Sequence, residues 1–64
     1  MRKTKETIDL AIEIAGSQTD LAIRLGVQRQ MVNRWVKTGK ISIHHYLAIN
    51  QFIQYNEIKK YKNS

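Results

Sequence analysis

The stretch Gln18–Lys37, QTDLAIRLGVQRQMVNRWVK, reads as two short helices joined by a tight turn. In the first, Gln18 to about Leu25, the apolar residues Leu21, Ala22 and Leu25 share one face. Gly26 follows at once and fits the left-handed backbone position that commonly stops a helix. The second helix spans about Gln28 to Lys37. At about 100° per residue, Met31, Val32, Trp35 and Val36 fall on one side. Arg29, Gln30, Asn33, Arg34 and Lys37 fall on the other, a face with no acid and no large apolar group. Cations and amides are the groups suited to phosphates and base edges.

Ala22, Gly26, Val32 and Trp35, with Leu21, Leu25 and Val27 between them and Gln18-Thr19-Asp20 ahead, resemble the helix-turn-helix of phage Cro and CI-type repressors. The wider run from Ala11 to Ile49 is similar to small all-helical Cro and YdaS-like regulators. The resemblance covers more than half of the chain, and its specificity lies in the joint spacing, since each residue type is common. It implies an all-α, lambda-repressor-like domain of four helices. It also implies a second helix that enters the major groove and, in a dimer, two such helices about 34 Å apart. In the resembled repressors, the glutamine matching Gln18 holds a DNA phosphate and often braces the recognition helix. Ordinary first-turn solvation is the competing role for Gln18.

Sixty-four residues allow one small domain, 1–64. A core of this size supplies a surplus of roughly 3–5 kcal/mol, so disulfides, metal or association usually supplement it. There is no cysteine, which excludes disulfides and is compatible with the cytoplasm. No apolar run approaches the ~20 residues of a membrane span. Acids soon interrupt the apolar residues that come after the basic start, so no signal peptide is expected.

Charge placement is more informative than the net +6. From Leu21 to Asn56 there is no Asp or Glu, whereas Arg24, Arg29, Arg34, Lys37 and Lys40 all lie in that span. Glu6, Asp9, Glu13 and Asp20 precede it. A positive surface of this kind suits nucleic acid. The face of the second motif helix lacks the apolar breadth an anionic membrane would need.

Upstream, a helix from about Lys5 to Ala15 places Ile8, Ala11, Ile12 and Ala15 in one stripe, widened by Leu10 and Ile14. Arg2, Lys3 and Lys5 are either a solvated tail or phosphate contacts. Ser17 is a good N-cap, and Asp20 stands where a capping-box acid would. Ala22 suits a close crossing of two helices, and Trp35 belongs to the core. After the break at Thr38-Gly39-Lys40, Ile41 is expected to plug the core. Ser42 then caps a fourth helix from Ile43 to about Glu57. Many resembling sequences start this helix with proline. A strand over Lys40 to Tyr46 is the competing reading, and the lack of a turn signal before Glu57 favours helix. On this helix Ile43, Tyr46, Leu47 and Ile53 form one stripe, with Ile49 and Phe52 off it. Two apolar faces need two partners, so Ile49 and Phe52 are assigned to a homodimer interface, unless the tail or the first helix covers them. Residues 59–64 read as a basic tail.

His44 and His45 lack the spacing of a helical metal pair. There is no Gly-rich phosphate loop and no nucleophile–base set. Neither metal, cofactor, small-molecule substrate nor enzymatic activity is therefore expected. The expectation is a cytoplasmic, sequence-specific DNA-binding regulator of the phage or prophage Cro type, binding a pseudo-palindromic operator as a dimer at least when bound. Base-reading candidates are Gln28, Arg29, Gln30, Asn33 and Arg34. Gln28 points inward by helix phase, and its place in the first turn lets it lean to DNA. Phosphate candidates are Gln18, Arg24, Lys37 and Lys40. The alternative is an antitoxin-like or other protein-interaction module that uses the helix over 43–57.

Overall fold

The computed structural model describes residues 3–62, with side chains described through residue 58. Four helices succeed one another: α1 Thr4–Ala15, α2 Gln18–Leu25, α3 Arg29–Thr38 and α4 Ile43–Lys62. No strand occurs among the described residues. Residues 40–42 are an irregular link into α4 and not the start of a sheet. The chain is thus an all-α, four-helix domain. Helix α1 packs against each of the other three helices, and α2 packs on α3. Of the terminal basic residues, Arg2 lies outside the described part, as do residues 63–64.

Local chemistry sets the helix boundaries. Ser17 caps α2: the Asp20 N–H donates to Ser17 Oγ at 3.1 Å, and the Ser17 hydroxyl donates to Asp20 Oδ2 at 3.0 Å. The acid of this capping arrangement therefore meets the serine hydroxyl rather than the serine N–H. At the other end of α2, Gly26 adopts φ 72°, ψ 31°. The Gly26 N–H donates to Ile23 O at 3.3 Å and the Val27 N–H to Ala22 O at 3.0 Å. These paired bonds close the helix in a Schellman turn and satisfy two carbonyls that would otherwise lack partners. Gln28 is the extended residue before α3, not its first helical residue, and its side chain makes no capping bond. Helix α3 runs one residue past Lys37. Thr38 Oγ1 donates back to Arg34 O at 2.8 Å, and Gly39, at φ 70°, donates its N–H to Trp35 O at 2.8 Å.

The core comprises Ile8 and Ala11 from α1, Leu21 and Ala22 from α2, Val32 and Trp35 from α3, and Ile49 and Ile53 from α4. Ala22 is buried with its helix packed on α3, where a side chain no larger than a methyl lets two backbones approach. Ile41 packs half-buried against this cluster, as expected of a plug. Thr7 is a buried polar residue that hydrophobic periodicity does not find. It is 1% exposed, and its hydroxyl donates to Lys3 O at 3.2 Å, so no donor is orphaned.

Three expectations need correction. Helix phase turns Met31 inward, but it is exposed, at the edge of the buried face of α3. Helix α4 continues past Glu57, and the backbone over 59–62 is helical rather than a tail. No glycine or proline interrupts that stretch, so nothing in it opposes propagation of the helix. The third correction concerns which side of α4 faces inward. Ile49 is fully buried and Phe52 is half-buried against the core, whereas Ile43 and Leu47 are 62% and 52% exposed. The helix is rotated by about one residue, roughly 100°, from the expected stripe. Packing against α1 selects the Ile49–Ile53 side. Ile49 is therefore inaccessible to a second copy in the folded chain, and Phe52 is committed mainly to its own core.

Ile49→Ala should cost about 2–5 kcal/mol, comparable to the whole stability of a domain this small. In dilute solution Leu47→Ala should stay within about 0.5 kcal/mol of the parent. Thermal unfolding followed by circular dichroism checks both, and equal losses would contradict this assignment of the α4 faces.

Candidate nucleic-acid interface

Because Val32 and Trp35 are drawn into the core, helix phase turns Arg29, Gln30, Asn33, Arg34 and Lys37 outward. All are exposed except Asn33, which is half-buried between them. Gln30, Asn33, Arg34, Lys37 and Thr38 line one shallow concavity along this face. Gln28 is also exposed, at the mouth of α3, where its extended backbone frees it from the inward direction that helix phase suggests.

A second concavity continues from the end of α3 to the start of α4, bordered by Arg34, Lys40, Ser42 and His45, with Trp35 and Ile41 beneath. Arg34 belongs to both hollows, so Lys40 lies near the outer face of α3 despite the break at Gly39. The Lys40 N–H donates to Thr38 Oγ1 at 3.1 Å, which fixes the chain direction at that exit. Ser42 precedes α4 as expected and does more than cap it. Its Oγ lies 2.7 Å from His45 Nδ1, and the His45 ring packs on Trp35 with centroids 5.3 Å apart at 44°. This Ser42–His45–Trp35 contact ties the start of α4 to the buried side of α3. Its sequence signal is the Ser-x-x-His spacing at a helix start, which places the two side chains within one turn.

The other phosphate candidates are more scattered. Arg24 is exposed in the last turn of α2, where a cation also favours the carbonyl end of the helix dipole. Gln18 is half-buried in the first turn of α2, and among the described residues its side chain makes no hydrogen bond that braces α3. Glu6, Asp9 and Glu13 are exposed on α1, and Asp20 is engaged with Ser17. Among the described residues, none of Arg24, Arg29, Arg34, Lys37 and Lys40 has a carboxylate within ion-pairing distance. The basic side chains thus stand available for an external anion, with no pair among the described residues to break first.

Fold and surface together define a small helix-turn-helix protein: a short helix that buries Leu21 and Ala22, a glycine-closed turn, and a second helix with a cationic, amide-bearing outer face. The chain belongs to the family described as bacterial toxin YdaS, whose model matches residues 8–61 and so takes in all of α2 and α3. No curated protein and no solved structure matches it.

Since Arg34 and Lys37 are exposed and make no ion pair among the described residues, Arg34→Ala and Lys37→Ala should each leave stability within about 0.5 kcal/mol of the parent. Chemical denaturation measures this. A larger loss would mean that the face has a structural role.

Proposed function

We propose that this chain is a sequence-specific DNA-binding transcriptional regulator of the Cro type, which reads duplex DNA with the outer face of α3. One observation carries the reading: the exposed, acid-free set Arg29, Gln30, Asn33, Arg34 and Lys37, whose cations have no carboxylate partner among the described residues. Arginine donates two hydrogen bonds to guanine O6 and N7, and glutamine or asparagine pairs with adenine N6 and N7. Gln28, Arg29, Gln30, Asn33 and Arg34 are the base readers on this view. Lys37, Lys40, Gln18 and Arg24 hold the backbone, a role that positions the protein without carrying sequence information. A pseudo-palindromic operator would seat two copies with their α3 helices about 34 Å apart. The mechanism needs no cofactor, metal or catalytic group, and it operates in the cytoplasm of a bacterial host.

The family description supports a second reading, that the chain acts as a toxin, and the exposed apolar side of α4 offers a surface for a protein target. The two readings separate in cells. Arrest of growth on expression that persists in an Arg34→Ala, Gln30→Ala double variant favours a protein target. Arrest that disappears with DNA binding belongs to the first reading.

Selection from random duplex DNA should yield a preferred, two-fold related sequence, and recovery of no preference would sink the proposal. Affinity should fall steeply with salt, with a log–log slope of about −0.9 for each phosphate neutralised. Arg34→Ala or Gln30→Ala should relax preference at particular base pairs by about 1–3 kcal/mol each. Lys40→Ala should weaken all sites alike and reduce the salt slope by roughly one. If both α3 variants keep the parent preference at every position, direct readout by this face is wrong.

A further inference from the structure

The hollow between the end of α3 and the start of α4 is walled by Arg34, Lys40, Ser42 and His45 over a floor of Trp35 and Ile41. A guanidinium, an ammonium and an imidazole thus converge on one concavity. No carboxylate lies within ion-pairing distance of any of the three among the described residues. Base readout by α3 leaves His45 and Ser42 unused, yet both are held in place. Ser42 Oγ lies 2.7 Å from His45 Nδ1 and accepts the His45 N–H at 3.4 Å, and the ring packs on Trp35 with centroids 5.3 Å apart. The other ring nitrogen, Nε2, makes no hydrogen bond among the described residues. No buried side-chain nitrogen or oxygen among them lacks a partner, so Nε2 is open to solvent.

We propose that this hollow seats one backbone phosphate of the bound duplex, and that His45 donates to that phosphate through Nε2. The site rests on the reading of the chain as a duplex-DNA binder and adds a residue to it. Arg34 stands on the wall that this hollow shares with the concavity on the outer face of α3. A phosphate seated beside that wall borders the groove that α3 reads, where the sugar–phosphate edge of the duplex runs. Lys40, beyond the break at Gly39, supplies a second cation to the seat.

The contact with Ser42 suits both protonation states of the ring. In the neutral imidazole with its proton on Nε2, Nδ1 accepts the Ser42 hydroxyl proton and Nε2–H donates outward. In the imidazolium, Nδ1–H donates to Ser42 Oγ, which has one lone pair for that bond and one for the His45 N–H. The geometry is unchanged, and the second state adds one positive charge beside the phosphate. Histidine as a residue type makes this change between about pH 5 and pH 8. The charged groups bordering the ring are Arg34 from α3 and Lys40 from the link. Helices α1 and α4 bring no carboxylate within ion-pairing distance of it among the described residues.

Ser42 is a positioning residue in this arrangement. Its bond to Nδ1 and the face of Trp35 hold the ring before any ligand arrives, so little side-chain freedom is lost on binding. A hydrogen bond from a charged donor is shorter and stronger than one from a neutral donor. Lower pH therefore strengthens the contact, and affinity rises as pH falls. Because the contact is made to the backbone, the gain acts on all sequences alike.

The test is fluorescence anisotropy at constant ionic strength with labelled duplexes, one recovered by selection and one of scrambled sequence. Between about pH 8 and about pH 5.5 the parent's affinity should rise about twofold to fivefold. His45→Gln should bind more weakly and lose that rise, while His44→Gln, its exposed neighbour, should keep it. Circular dichroism and the fluorescence of Trp35, the only tryptophan, check that each variant is folded. A change made on the DNA keeps the test independent of folding. Replacing backbone phosphates one at a time by uncharged methylphosphonate should find one position per bound copy at which the parent's pH response falls. At that position His45→Gln should cost nothing further. A pH response unaltered in His45→Gln overturns the proposal, and so does a response that no methylphosphonate reduces. Sequence preference without a His45-dependent response would remove the phosphate seat and leave base readout by α3 standing. A His45-dependent response without sequence preference would keep the seat and remove only the base readout. Absence of duplex binding at every pH would remove both.

Discussion

Burial of Val32 and Trp35 is the constraint on which the rest of the molecule depends. With these two side chains held inward beside Leu21, Ala22, Ile8 and Ala11, α3 has no rotational freedom left, and its polar half must face out. The Schellman turn at Gly26 makes this possible by ending α2 within one residue and letting the chain re-enter a helix at Arg29. The hydrogen-bonded Ser42–His45 pair and the ring contact to Trp35 then fix the start of α4 to the same anchor. Core, turn and outer face are one geometric problem, and the burial of two residues of α3 solves it.

The same economy governs the electrostatics. A small domain cannot bury charge without losing a large part of its stability. Acids and bases therefore both stay at the surface, and α3 carries bases alone. Glu6, Asp9 and Glu13 are on α1, and the cations cluster on α3 and the link to α4. Unpaired cations contribute little to folding. Among the described residues these cations have no carboxylate partner, so they add positive charge to the surface without adding ion pairs to the fold.

Helix α4 shows how a small core and an interface compete for the same residues. It is apolar on two sides, and only one can face α1. The Ile49–Ile53 side is chosen, which leaves Ile43, Leu47 and Ile58 facing outward. A chain of this size has little surplus stability, so covering that second side through association would add to folding as well as to binding.

The helix-turn-helix is legible in the sequence because its determinants are local. Ser17 caps the helix beginning at Gln18, Gly26 needs only its own backbone freedom, and the spacing of Val32 and Trp35 orients α3 without reference to distant residues. The outward set Arg29, Gln30, Asn33, Arg34 and Lys37 comes from that same period, and the four-helix, all-α class comes from its repetition. Met31 escapes such a reading because it lies at the margin of the stripe, where helix phase alone does not decide burial. Residues 59–62 resemble a tail on composition, although nothing there stops a helix. The facing of α4 is not decided locally at all. Ile49 and Phe52 compete with Ile43 and Leu47 on equal hydrophobic terms, and only the approach of α1 distinguishes them. The shared hollow of Lys40 and Arg34, and the ring contact of His45 with Trp35, likewise join residues whose sequence separation carries no periodic signal. Sequence by itself determined what each helix is and which way α3 faces, because backbone caps and helical period are properties of a few consecutive residues. The tertiary structure decided which side of α4 is core and which is surface, because that choice is made by the helix packed against it.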